Sequence, residues 1–157
     1  MRHTPTIREL LMTDHPHLEK TPETETDWFA ALAALARYLR SPEGCPWDRE
    51  RTALEFAAFC GGETDELREA LESGDNHHAE EEYGDCFFTL LACMAAAEAE
   101  GRFTLESALA RAHEKLVRRH DHVFRANKAA TPEEAMASWQ QIKEKEKAER
   151  NKENLDD

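Results

Sequence analysis

Glu63 with Glu66, and Glu82 with Asp85, are two pairs of carboxylates at i,i+3 spacing. On a helix that spacing sets both acids of a pair on one side, about one turn apart. The segment between the pairs ends in Glu72-Ser73-Gly74-Asp75-Asn76, the pattern of one helix stopping and the next starting. Consecutive helices with so short a connection lie antiparallel, and the two pairs can then face each other. Four facing carboxylates repel unless a cation sits among them, and oxygen-only ligands select a hard divalent ion, Mg²⁺ or Mn²⁺. At about 100° per residue, Phe56, Cys60, Leu67, Ala70 and Leu71 share one apolar arc of the first helix, with Glu63 inside it and Glu66 at its edge. On the second helix Tyr83, Cys86, Phe87, Leu90, Leu91 and Met94 read as the core stripe, with Glu82 and Asp85 on its flank. A carboxylate pointed into hydrocarbon is costly unless paired or metal-bound. Single acidic i,i+3 pairs are ordinary on the solvated faces of a chain with 33 acidic residues, but two pairs on adjacent helices favour a metal.

The elements that must hold these acids are all helical. Thr24-x-x-Asp27 and Thr52-x-x-Glu55 are capping boxes, the first opening a helix with apolar period through Trp28, Leu32, Leu35 and Leu39. The second opens a helix to Ser73, stopped by Gly74 and interrupted by Gly61-Gly62, each costing roughly 1 kcal/mol relative to Ala. Two glycines directly before Glu63 suggest close approach of a backbone or ligand, or else a plain weak point. Asp75 caps a helix to Gly101, Thr104 one to about His120, and Thr131-Pro132-Glu133-Glu134 opens a fifth. Ser41 to Asp48 reads as a non-helical loop, too rich in Pro and Gly to be otherwise. No strand pattern and no repeat occurs. The expectation is an all-α bundle of about five helices with an antiparallel metal-binding pair. Residues 1–23 read as a flexible extension, 24–147 as the domain, and 148–157 as a charged disordered tail.

With 157 residues and 18.0 kDa, the chain suffices for one domain with a real core. A net charge of −13 argues against a nucleic-acid surface but not against nucleotides, since a metal and a few local cations can reverse the field within a site. No apolar run reaches membrane-span length and no signal-peptide core opens the chain, so the expected location is cytoplasmic. Cys45, Cys60, Cys86 and Cys93 form no CxxC pair and read as small core residues.

Three other groups could carry chemistry. Lys115, Arg118 and Arg119 form a cationic cluster that could grip phosphate oxygens, or could simply form salt bridges near a helix C-terminus. His77 or His78 with Glu81 could bind zinc, although histidines at a helix start are usually just exposed. Trp47 could stack on a base or plug the edge of a core.

Taken together these segments resemble a known family. Leu39-Arg40-Ser41-Pro42-Glu43-Gly44-Cys45-Pro46-Trp47-Asp48 resembles the opening motif of MazG-type nucleoside triphosphate pyrophosphohydrolases. Glu63-Thr64-Asp65-Glu66 followed by Glu82-Tyr83-Gly84-Asp85 is similar to that family's ExxE…ExxD metal motif. Gly101-Arg102-Phe103, the run from Glu114 to Phe124, and Trp139-Gln140-Gln141-Ile142-Lys143 resemble later segments in the same order. Many relatives carry Glu where this chain has Gly62, and Asp121 replaces a usual Pro. The resemblance implies Mg²⁺- or Mn²⁺-dependent hydrolysis of (deoxy)nucleoside triphosphates between the α and β phosphates, as nucleotide-pool housecleaning. It implies metal ligation by Glu63, Glu66, Glu82 and Asp85, with Glu63, Glu66, Lys115 and Arg119 serving the reaction. Substrate would be held by Lys115, Arg118, Arg119 and Trp47, in a homodimer or dimer of dimers that binds neither nucleic acid nor membrane. The competing expectations are a weakened family member that binds nucleotide without turnover, and a non-catalytic helical interaction module.

Overall fold

The computed structural model describes residues 21–124 and 128–153, so most of the expected N-terminal extension lies outside it. The helices are α1 (Glu25–Leu39), α2 (Pro46–Glu50), α3 (Ala53–Ser73), α4 (Asn76–Ala99), α5 (Leu105–Arg119), α6 (Asp121–Phe124) and α7 (Pro132–Glu153), with no strand among the described residues. The fold is all-α. The chain divides into two compact units, one ending at Leu105 and the other beginning at Glu106.

Local chemistry fixes the helix ends as the sequence predicts. Both capping boxes are closed in both directions at Thr24/Asp27 and Thr52/Glu55. Gly74 ends α3 in the left-handed region at φ 77°, where a Cβ would be strained. Asp75 then accepts from the backbone N–H groups of His77 and His78 to start α4. At the far end of α4, Gly101 N–H donates to Glu98 and Arg102 N–H to Ala97, the paired bonds of a Schellman stop. Gly61 and Gly62 leave α3 unbroken, and a Cβ at either would meet nothing within 4 Å. Close approach by another part of the described chain is therefore not the reason for these glycines.

The segment from Arg40 to Asp48 is where the sequence reading needs correction, because Pro46–Glu50 is a short helix. Proline is at home in the first turn, where its missing N–H has no intrahelical partner to lose. Gly44 lets the chain fold back over the end of α1, since a Cβ there would collide with the backbone of Tyr38 and Leu39. Cys45 N–H then donates to Leu39 C=O at 2.8 Å. Arg40 donates to the carbonyls of Asp48 and Arg51 at 2.5 and 2.8 Å, tying off the C-terminus of α2. Trp47 stacks on Phe59 at 5.8 Å and meets Phe56 edge-on at 6.0 Å.

In the first unit α4 is buried on two sides. Ala33 and Ala36 of α1 pack on Leu91, Met94 and Ala95, while Ala53 and Phe56 of α3 pack on Ala92, Ala96 and Ala97. Alanine at so many seam positions lets the helix backbones approach closely. This arrangement corrects the expected stripe on α4. Tyr83 and Leu90 are 62% and 57% exposed, whereas Glu82 and Thr89 are buried. The seam toward α3 runs through Glu82, Cys86, Thr89, Cys93 and Ala96 at helical spacing, so Glu82 is a core position rather than a flank. Leu71, assigned to the apolar arc of α3, is likewise exposed. At the opposite end from Glu82, Glu100 accepts from Ala53 N–H at 2.7 Å and joins the start of α3 to the end of α4.

In the second unit, Pro132 opens α7 with Thr131 Oγ1 accepting from Glu134 N–H. The helix continues through Glu153, beyond residue 148, where the tail is expected to begin. A four-residue helix, α6, begins at Asp121.

A candidate metal centre between two helices

Glu63 and Glu66 on α3 and Glu82 on α4 each offer a carboxylate oxygen, and these oxygens all lie within 4.8 Å of one another. The facing of the two pairs expected from the sequence is thus realised for three of the four acids. Asp85 is exposed and stands outside the trio, yet it is near enough for its charge to bear on Glu63. The three positions differ in burial: Glu82 is buried, Glu63 half-buried and Glu66 exposed, so the cluster forms a path from core to solvent.

The electrostatics record the crowding. Burial is the main cause pushing the Glu63 carboxyl above its ordinary range, followed by the charges of Glu66, Asp85 and Glu82. The nearby Cys86 thiol is pushed up by burial first and then by the charges of Glu63, Glu82 and Asp85. Among the described residues no Arg or Lys forms an ion pair with Glu63, Glu66 or Glu82. Glu82 Oε1 accepts from His78 Nε2 at 2.9 Å, one turn back along α4. Its other oxygen, Oε2, is buried without a hydrogen-bond partner. A buried, unpartnered carboxylate oxygen beside two further carboxylates is a donor set for a hard divalent cation. Of the zinc alternative at the start of α4, His78 meets Glu82 rather than Glu81. The His78 contact is what the sequence reading missed, although the i,i+4 spacing of the two residues could have shown it.

The other predicted site residues occupy defined surroundings. Trp47 is 50% exposed beside Phe59, one turn ahead of Glu63 on α3, with the Arg51 guanidinium 5.2 Å from its ring centroid. In the second unit Arg118 and Arg119 both bind Glu146, at 2.7 and 2.8 Å, and Arg119 also lies over the Trp139 ring at 5.5 Å. Lys115, one turn before Arg119 on α5, is exposed.

Residues 51–124, which include all four acids, match the MazG nucleotide pyrophosphohydrolase domain. Over this stretch the chain is similar to the MazG family. It is 38% identical over 120 residues to the nucleoside triphosphate pyrophosphohydrolase of Escherichia coli (strain K12), covering 76% of this chain and 46% of that protein. It is 37% identical over 119 residues to the uncharacterized protein YabN of Bacillus subtilis (strain 168), covering 76% and 24%. The crystal structure of a mazG-related protein from Thermotoga maritima superposes with a TM-score of 0.61 at 29% identity, over 72% of this chain and 96% of that one. The chain thus spans between about a quarter and a half of the length of these two sequence relatives.

Proposed function

We propose that the protein hydrolyses nucleoside triphosphates, ribo- or deoxyribo-, at the α–β bond to a nucleoside monophosphate and pyrophosphate, as a nucleotide-pool housecleaning enzyme. The observation that carries this reading is the acid trio with its buried, unpartnered Glu82 oxygen, lying within the stretch that matches the MazG domain. Glu63, Glu66 and Glu82 would hold Mg²⁺ or Mn²⁺, with Asp85 completing the set at the solvent side. Such an ion, when bound, offsets triphosphate charge and acidifies an attacking water. Glu63, whose carboxyl burial and then its acidic neighbours push above the ordinary range, is the acid assigned to accept that water's proton. Water oxygen joins the α-phosphorus, the bond to the bridging oxygen breaks, and pyrophosphate leaves. Lys115, Arg118 and Arg119 bind phosphate oxygens, the arginines exchanging the Glu146 carboxylate for them. Trp47, stacked on Phe59, offers its exposed surface to the base.

The working form is a homodimer or dimer of dimers in the cytoplasm. Supporting this, Trp28, Leu54, Leu71, Tyr83 and Leu90 are large apolar side chains left exposed on the first unit. No described helix is long and apolar enough to cross a membrane. Incubation of the protein with Mg²⁺ and each common nucleoside triphosphate, with products separated by chromatography, tests the reading. Monophosphate and intact pyrophosphate are expected; orthophosphate and a diphosphate as first products would overturn it.

A further inference from the structure

We infer that His78 is a positioning residue for the metal centre, acting through Glu82; this rests on the metal reading above. Of the three clustered carboxylates, Glu82 is the buried one, and among the described residues it is the one whose side chain accepts a hydrogen bond. An ionised carboxylate accepts only, so His78 Nε2 carries the proton and donates it to Oε1. That bond fixes the carboxylate's rotation and commits Oε1, which leaves Oε2, buried and unpartnered, as the oxygen presented to a cation.

The imidazole is itself well placed for this work. His78 sits in the first turn of α4, where Asp75 accepts from its backbone N–H and holds the helix start in place. Its ring is half-exposed, so it reaches Glu82 from the solvent side without being buried. A carboxylate left to rotate freely would present either oxygen, and ordering it would then fall to the cation.

The experiment measures Mn²⁺ affinity by electron paramagnetic resonance, together with the melting temperature of the metal-free protein, in wild type, His78→Ala, His78→Gln and Glu82→Gln. His78→Ala should weaken Mn²⁺ about tenfold or more, the size typical of losing a partner behind a metal ligand. His78→Gln, whose amide N–H can reach the same oxygen, should recover most of that affinity. Alanine is a good helix former, so α4 survives the first change. If His78→Ala binds Mn²⁺ like wild type and only its melting temperature falls, the hydrogen bond merely satisfies a buried acid and the inference is wrong. Equal losses in His78→Ala and His78→Gln also overturn it, because the donated proton would then not matter. Wild-type affinity in Glu82→Gln would bring down the metal reading itself, a result distinct from either of these.

Discussion

Glu146 in the second unit and Glu63 in the first are both glutamates on helices in partly enclosed surroundings, but their environments have opposite character. Glu146 is clasped by Arg118 and Arg119, and the hydrogen bond from Arg118, ahead of the remaining contributions, holds its carboxyl below the ordinary range. Glu98 follows the same rule, taking two bonds from Arg37 and one from Leu105 N–H, and its carboxyl is lowered too. Glu63 faces other acids and is pushed up. Glu146 and Glu98 are supplied with cations or a backbone donor, whereas between α3 and α4 the described residues supply one histidine. The difference sets the α3–α4 seam apart, and under the proposed function a bound divalent cation would supply the positive charge there.

The largest test of that contrast is catalytic. Glu66→Gln removes a proposed ligand at the exposed end of the trio and should lower turnover by orders of magnitude at saturating Mg²⁺, with helical circular dichroism unchanged. An unaltered rate would end the metal assignment. The same Glu-to-Gln change at Glu146 should act on stability instead, because it breaks two charge-assisted bonds. A loss of about 2 kcal/mol, read from urea unfolding, is expected.

Gly62 gives a smaller, positive effect. Its added Cβ meets open space, so Gly62→Ala should stabilise α3 by about 1 kcal/mol. Gly62→Glu should also lower the Mg²⁺ concentration needed for half-maximal rate; weaker Mg²⁺ binding or lost activity without unfolding would show that a ligand or second subunit needs the glycine.

The smallest effect carries the sharpest sign. Glu63→Gln in EDTA should raise the melting temperature, whereas Glu146→Gln lowers it. The folded pKa of Glu63 is raised, so its contribution is most favourable below the unfolded pKa and is lost as pH rises through the folded value. The advantage of Glu63→Gln should therefore emerge with rising pH. The folded pKa of Glu146 is depressed, so its contribution is present above the unfolded pKa and fades as pH falls through the folded value. Parallel pH profiles for the two variants would erase the distinction.

Much of this was determined by local sequence. The caps at Thr24, Thr52 and Asp75 and the stop at Gly74 are interactions within a few residues, so their residues suffice to place the helix ends. The i,i+3 acids were legible because helical period is a property of the chain alone. Tertiary structure decided the rest. Which face of α4 is buried depended on its having neighbours on two sides, which moved Glu82 into the core and Tyr83 and Leu90 out of it. The helicity of Pro46–Glu50 depended on Arg40 and Gly44 bringing the chain back over α1. Whether an arginine meets a phosphate or a glutamate is equally unreadable from spacing: Arg118 and Arg119 lie 28 and 27 residues from Glu146, and only folding brings α7 against them. Period and capping are short-range and written residue by residue, whereas burial and charge pairing are set by whichever helix packs alongside.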